Sequence, residues 1–214
     1  MAGKTECSMK IYQFKSGANP PRVRAFLIEK GILETVEFVH VDVANGVNRQ
    51  PEFKAKNTKG TLPVLELDDG TFVAESVAIC RYFEVTYPDP PLMGVTAKDQ
   101  AVVEMWNRRI ELGLFRHCDD IVRNTLEFFQ DKVIQDEAVV RVGRQSAKHE
   151  CEWLDAELLE RRYVAGQTFT IADITLYAAF FLGARSIIGS GAQYPNLARW
   201  YSDVSQRESL REFA

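Results

Sequence analysis

Thr61 to Glu84, TLPVLELDDGTFVAESVAICRYFE, gathers three kinds of group that can hold a polar ligand. Pro63 opens a strand, and a proline there redirects the backbone so that N–H and C=O groups can face a partner. Asp68-Asp69-Gly70 is a strong hairpin signal that returns the chain beside that strand. A helix then begins at Glu75-Ser76, where unpaired N–H groups and the positive end of the helix dipole suit a carboxylate, and the Glu75 side chain can pair with an ammonium group. The set fits an extended peptide that carries an ammonium group and carboxylates. The plainer alternative makes Ser76 an N-cap and Glu75 a solvated charge.

Other chemistries find little support. His40, His117 and His149 have no metal-ligand spacing, so no metal site is expected, and neither a GxSxG nor a phosphate-loop motif occurs. Cys7, Cys80, Cys118 and Cys151 are scattered and form no CxxC pair, which predicts reduced thiols. Cys80 and Cys151 fall on apolar helix faces, as small buried hydrophobes do. The net charge of −4 across 214 residues gives no general pull toward nucleic acid or an anionic membrane. No apolar run approaches the roughly 18 to 20 residues of a membrane span, and MAGKTECSMK lacks the apolar core of a signal peptide. A cytoplasmic protein is expected.

The elements that must position these residues fall into two halves. KIYQF is strand-like, Pro21 to Lys30 helical with Gly31 as a stop, and TVEFVHVDV a second strand. A crossover helix between two strands implies that they are parallel. PEFKAK is a short helix, LPVLEL and TFVAE an antiparallel pair, and Ser76 to Thr86 a helix with Val77, Cys80, Tyr82 or Phe83 and Val85 facing inward. YPDPPLMG, with three prolines and a glycine, reads as a linker. Beyond it strand signals almost vanish. Long helices are predicted over Ala97 to about Phe129 and over Asp136 to Arg162, and Thr170-Ile-Ala-Asp173 resembles a capping box ahead of the apolar core helix ITLYAAFFLGA. YPNLARWYSDVSQ supplies one more helix after Pro195. The expected fold is α/β followed by all-α: a thioredoxin-like domain (βαβαββα) over 1–87, a linker over 88–95 and a helical domain over 96–214.

KIYQF, NPPRVRAFLIEKGI, PEFKAKN, LPVLELDDGTFVAESVAICRYFE, TIADITLY and YPNLARWY follow one another as they do in the cytosolic glutathione transferases, which the chain resembles along most of its length. It is most similar to bacterial-type, nu-like members with a Ser/Thr-Pro-Asn loop. The resemblance implies a homodimeric detoxification enzyme that conjugates reduced glutathione, as co-substrate and without a cofactor, to a small apolar electrophile. By the same resemblance the bond before Pro63 is cis, the Leu62 backbone pairs with the cysteinyl part of glutathione, and Glu75 and Ser76 hold its γ-glutamyl end. Lys59 and Asn48 are implied contacts to the rest of the peptide, although either suits a solvated loop equally well. Thr61 stands where the family often has Gln or Lys. Trp106, Arg109 and Phe115 are candidates for a second-substrate pocket between the catalytic loop and the first helix of the second domain, though aromatic residues at such spacing are more often core.

The family places a thiolate-stabilising Tyr, Ser or Cys at the start of the first helix, where Phe14 to Arg24 reads FKSGANPPRVR. Relatives with Ser-Pro-Asn-Pro or Thr-Pro-Asn-Gly loops carry the hydroxyl at the position of Gly17, so here it is missing. Asn19 matches the asparagine of those loops, and its amide can donate to a thiolate. It is the first candidate. Ser16 is the second, if the loop shifts, while Tyr12 belongs to the strand; Asn19 could also be a turn residue before proline. The loop holds no cysteine for a mixed disulfide. Related glutathione-dependent disulfide reductases nonetheless share the asparagine, which keeps a reductase or peroxidase as an alternative, and a non-catalytic binding module as another.

Overall fold

The computed structural model describes residues 9–14, 17–189 and 191–213, and the chain divides into two compact units, Met1–Pro90 and Pro91–Ala214. The division falls inside the proline-rich stretch. Among the described residues no helix is long and apolar enough to cross a membrane.

The first unit runs β1 (Lys10–Gln13), α1 (Asn19–Glu29), β2 (Glu37–His40), α2 (Pro51–Lys54), β3 (Val64–Glu66), β4 (Phe72–Ala74) and α3 (Ser76–Thr86). Its sheet has the order β2-β1-β3-β4, with β1 parallel to β2 and antiparallel to β3, and β3 antiparallel to β4. This is the mixed sheet that the crossover helix and the Asp-Asp-Gly turn require. Successive residues of a strand face opposite sides. Val64 and Leu65 are both fully buried, so the sheet is covered on both faces at β3. One face packs Tyr12, Val47, Leu62 and Phe72 around Val41, Phe53 and Val64.

The inward stripe of α3 differs from expectation at one end. Val85 is 75% exposed, whereas Glu84 is only 8% exposed. Lys30 is the cause: its ammonium pairs with Glu84 at 2.5 Å and donates to the carbonyls of Tyr87 at 2.8 Å and Pro90 at 2.7 Å. A buried ammonium is tolerated only when its charge and its donors are met, which turns the acid of α3 inward in place of the valine. A hydropathy pattern cannot show this, because Lys30 and Glu84 are far apart in sequence.

The second unit is helical: α4 (Ala97–Ile110), a wide turn at Glu111–Phe115, α5 (Arg116–Thr125), α6 (Glu137–Glu157), α7 (Ile171–Ala179), a second wide turn at Phe180–Ala184, α8 (Arg185–Ile188) and α9 (Pro195–Val204). The expected single helix from Ala97 to about Phe129 is therefore broken. Gly113 takes non-helical angles (φ −95, ψ −109), and a Cβ there would lie 2.7 Å from Oε2 of Glu150 on α6. The missing side chain allows the carboxylate of α6 to approach the break. The capping box of Thr170 and Asp173 is present at the start of α7. Asp173 also accepts from the Val164 N–H at 2.9 Å and the Trp200 indole N–H at 2.8 Å, so the cap is also a hub joining two further segments.

Candidate functional site

Three strand and helix ends of the first unit supply the groups singled out between Asn19 and Ser76. Asn19 is the first residue of α1, whose N-cap, Ala18, makes no side-chain cap bond. Pro20 and Pro21 follow it and carry no N–H, so this helix start has few backbone donors to offer an anion. The side-chain amide of Asn19 therefore matters more than an ordinary first-turn group. Its Oδ1 accepts from Arg22 Nη1 at 2.8 Å and from Ser76 Oγ at 3.4 Å. With the oxygen so engaged, the NH2 group is the donor left to point elsewhere.

Ser76 is thus not an N-cap. That position belongs to Glu75, which makes no side-chain cap bond. Ser76 is 6% exposed and turns its hydroxyl to Asn19, joining the first turn of α3 to the first turn of α1. Glu75 is exposed and has φ 72 and ψ 119. Among the described residues it is the only non-glycine with positive φ. A long side chain held there costs on the order of 1–3 kcal/mol, and such outliers cluster at ligand clamps. The surrounding β4–α3 turn holds Glu75 in a strained conformation while its carboxylate faces solvent.

The backbone edge is formed at Leu62-Pro63, whose peptide bond is cis. Pairing of β3 with β1 begins at Val64 opposite Tyr12, and among the described residues the N–H and C=O of Leu62 have no main-chain partner. This leaves one residue's donor and acceptor outside the ladder just before β3 begins. Two asparagines fix the segment before it. Asn57 accepts from the Lys59 N–H at 3.2 Å and donates to Thr61 O at 2.9 Å and Oγ1 at 3.0 Å. Asn48 Nδ2 donates to Gly60 O at 2.8 Å, and Gly60, at φ 64, approaches so closely that a Cβ would sit 2.5 Å from the Asn48 carbonyl. The Asn48 amide nitrogen is therefore used within the loop, while its buried Oδ1 has no partner among the described residues. The Lys59 side chain is exposed. Asn57 and Arg22 escaped the sequence reading. Asn57 left one weak signal, an amide two residues before a lysine in a turn; Arg22 left none, since a helical arginine reads as surface.

Tyr12 is occupied elsewhere. Its hydroxyl donates to Glu66 Oε2 at 2.5 Å, and burial, reinforced by this bond, pushes the phenol up to about 12. Lys56 sits 4.9 Å from the Tyr12 ring centre and 4.6 Å from that of Phe72. A phenol so protonated and so paired is a poor donor for a thiolate. Burial likewise pushes the Cys80 thiol up to about 12, which keeps it protonated and inert. Ser16 and Cys7 lie outside the described residues.

The second unit places Trp106 on α4 with its ring stacked on Trp153 at 5.5 Å, and the guanidiniums of Arg161 and Arg109 lie 4.2 Å and 5.0 Å from its centre. Trp106 is 5% exposed, so it offers little surface to a ligand, whereas Arg109 is exposed. Burial and the neighbouring charge of Arg109 lower the pKa of Arg161. Phe115 is buried in the wide turn after α4. Among the described residues no cluster of three or more His, Cys, Asp or Glu could hold a metal ion.

Comparison with known proteins gives this geometry a family. A model of the glutathione S-transferase N-terminal domain matches residues 19–86, and one of the C-terminal domain matches residues 107–208. Glutathione S-transferase 2 of Saccharomyces cerevisiae is 38% identical over 216 residues, covering 98% of this chain and 91% of that protein. The crystal structure of Gtt2 from Saccharomyces cerevisiae superposes with a TM-score of 0.88 at 35% identity, covering 96% of this chain and 100% of that one. A glutathione S-transferase domain-containing protein of Marinobacter aquaeolei VT8 gives a TM-score of 0.88 at 34% identity, with 94% and 99% covered. Glutathione S-transferase F11 of Arabidopsis thaliana is 26% identical over 95% of this chain and 96% of its own. With both domains matched in order and more than a third of its residues shared with a relative along nearly its whole length, this chain belongs to the glutathione S-transferase family.

Proposed function

We propose that this protein binds reduced glutathione in its thioredoxin-like unit, stabilises the thiolate through the Asn19 amide, and directs it at a small apolar electrophile. The observation that carries the reading is the junction of Asn19 with Ser76. The group assigned to the sulfur and the helix start assigned to the γ-glutamyl end belong to one hydrogen-bonded unit. The open Leu62 backbone supplies the peptide contact, and Glu75, held at φ 72, supplies a charge for the ammonium. Glutathione's thiol has a free pKa near ~8.5, so lowering it is the task left to the enzyme. Barrier lowering then comes from the stabilised anion and from holding two reactants together. Of the second-substrate candidates the exposed Arg109 is assigned to the electrophile, with the buried Trp106 and Phe115 behind it; Lys59 is assigned to the glutathione peptide, with Asn48 fixing the loop that carries it; no cofactor takes part. A homodimer in the cytoplasm is the expected state.

A second reading, a glutathione-dependent disulfide reductase or peroxidase, is favoured by Gly17, which removes the hydroxyl of the common loop. Retention on immobilised glutathione tests the binding itself, and failure to bind would leave only a non-catalytic module on this scaffold. Turnover of an aryl halide above that of a small disulfide supports the transferase. The reverse order would replace it with the reductase.

A further inference from the structure

We propose that Arg22 is the positioning residue that fixes which end of the Asn19 amide faces the ligand. The inference rests on the reading of Asn19 as the thiolate donor and adds the reason why its nitrogen, and not its oxygen, is presented. An asparagine amide has an acceptor end and a donor end of nearly the same shape, and only its partners decide which way it turns. Among the described residues Asn19 has two such partners. Ser76 does not discriminate, because a hydroxyl both donates and accepts, and at 3.4 Å its contact is long. Arg22 does discriminate: a guanidinium has donors and no acceptor, and its Nη1 lies 2.8 Å from Asn19 Oδ1. A turned amide would set two donors against each other at that distance.

The local structure makes this constraint hard to escape. Asn19 and Arg22 are three apart on α1 and so share one face of the helix. Arg22 is only 3% exposed, so water cannot easily take over either end of the bond. Pro20 and Pro21 between them remove the backbone donors that might otherwise bind the anion. If the amide turned over, the site would present an acceptor to a thiolate, and the hydrogen bond would become a repulsion. A buried arginine three residues into the helix therefore sets the sign of the interaction at the sulfur without touching it.

The test compares Arg22→Lys with Arg22→Gln. Lysine also lacks an acceptor, so Arg22→Lys should keep the thiol pKa of bound glutathione within a few tenths of the wild-type value. Glutamine offers both ends, so Arg22→Gln should raise it by about one unit and cut kcat roughly tenfold at pH 6.5. KM for glutathione should change little. In an Asn19→Ala background the Arg22→Gln effect should vanish. If it persists there, the arginine charge acts on the sulfur directly and the proposal is overturned; an Arg22→Gln pH profile identical to wild type overturns it equally. Failure of the Asn19 reading looks different, since Asn19→Ala would then leave the thiol pKa unmoved by itself. Should Arg22→Gln not fold, Arg22→Lys decides: a thiol pKa raised there as far as in Asn19→Ala overturns the proposal.

Discussion

Replacing Asn19 by alanine should raise the pKa of the bound glutathione thiol by about one to two units. A hydrogen bond to a charged group contributes about 1.5–3 kcal/mol, and one pKa unit corresponds to ~1.36 kcal/mol. At least the middle of that range applies here. The Asn19 oxygen is already held by Arg22 and Ser76, so the amide pays little ordering cost when it meets the sulfur, and the two following prolines offer no N–H to compensate its loss. From a free value near ~8.5, the bound thiol of the wild type is expected at about 7. At pH 6.5 the thiolate fraction should then fall roughly 20-fold in Asn19→Ala. The rate should follow in the same direction but by less, because a more basic thiolate is a better nucleophile. Above pH 9 the two proteins should converge. Ultraviolet titration of the bound thiolate measures this directly. Asn19→Asp is the sharper companion: it keeps an acceptor for Arg22 and Ser76, loses the donor and adds a negative charge, so it must raise the pKa more than alanine does. A thiol pKa unchanged in Asn19→Ala would remove Asn19 from the mechanism.

Tyr12→Phe should leave the bound thiol pKa unmoved and cost roughly 1 kcal/mol, since its hydroxyl serves Glu66 and not the ligand; a shifted thiolate titration would return Tyr12 to the site. Lys30→Met should destabilise the protein by about 3–5 kcal/mol by removing the buried ammonium that meets the Glu84 carboxylate. The double variant with Glu84→Gln should lose less than the two single losses combined, and additive losses in urea denaturation would show that the pair does not act as one. Burial lifts Asp173 from 3.8 to about 6, against the hydrogen bonds from Val164, Trp200 and Thr170 that favour its charged form. Between those values the folded state keeps a proton that the unfolded chain has lost. Its contribution, roughly 3 kcal/mol, is therefore full below pH ~4 and is lost as pH rises to about 6. Asp173→Asn, less stable at every pH through lost acceptors, should lack this slope in denaturation between pH 4.5 and 6.5; an equal slope would assign the effect to other groups.

The legible parts of the sequence were those set by neighbours along the chain. Pro63, the Asp-Asp-Gly turn and the start of α3 follow from backbone stereochemistry within a few residues, and so does the capping box of Thr170 and Asp173. The helical second half was equally clear, because its apolar period repeats over several turns. The break at Gly113 was not. A glycine within a helical run reads as tolerated, and the Glu150 carboxylate that approaches it lies on another helix. Glu84 was missed in the same way, turned inward by Lys30 across the fold.

At the candidate site the division is sharper. Sequence by itself determined which residue types stand at the start of α1, before Pro63 and at the start of α3, and that the common hydroxyl is missing at Gly17. Only the tertiary structure decided their roles: that Ser76 turns to Asn19, that Arg22 is buried against the same amide oxygen, and that the Tyr12 hydroxyl belongs to Glu66. Helix starts and turns are short-range products of stereochemistry, so they are written in consecutive residues. The orientation of an amide is set by donors and acceptors brought together from distant segments, and it exists only once the chain has folded.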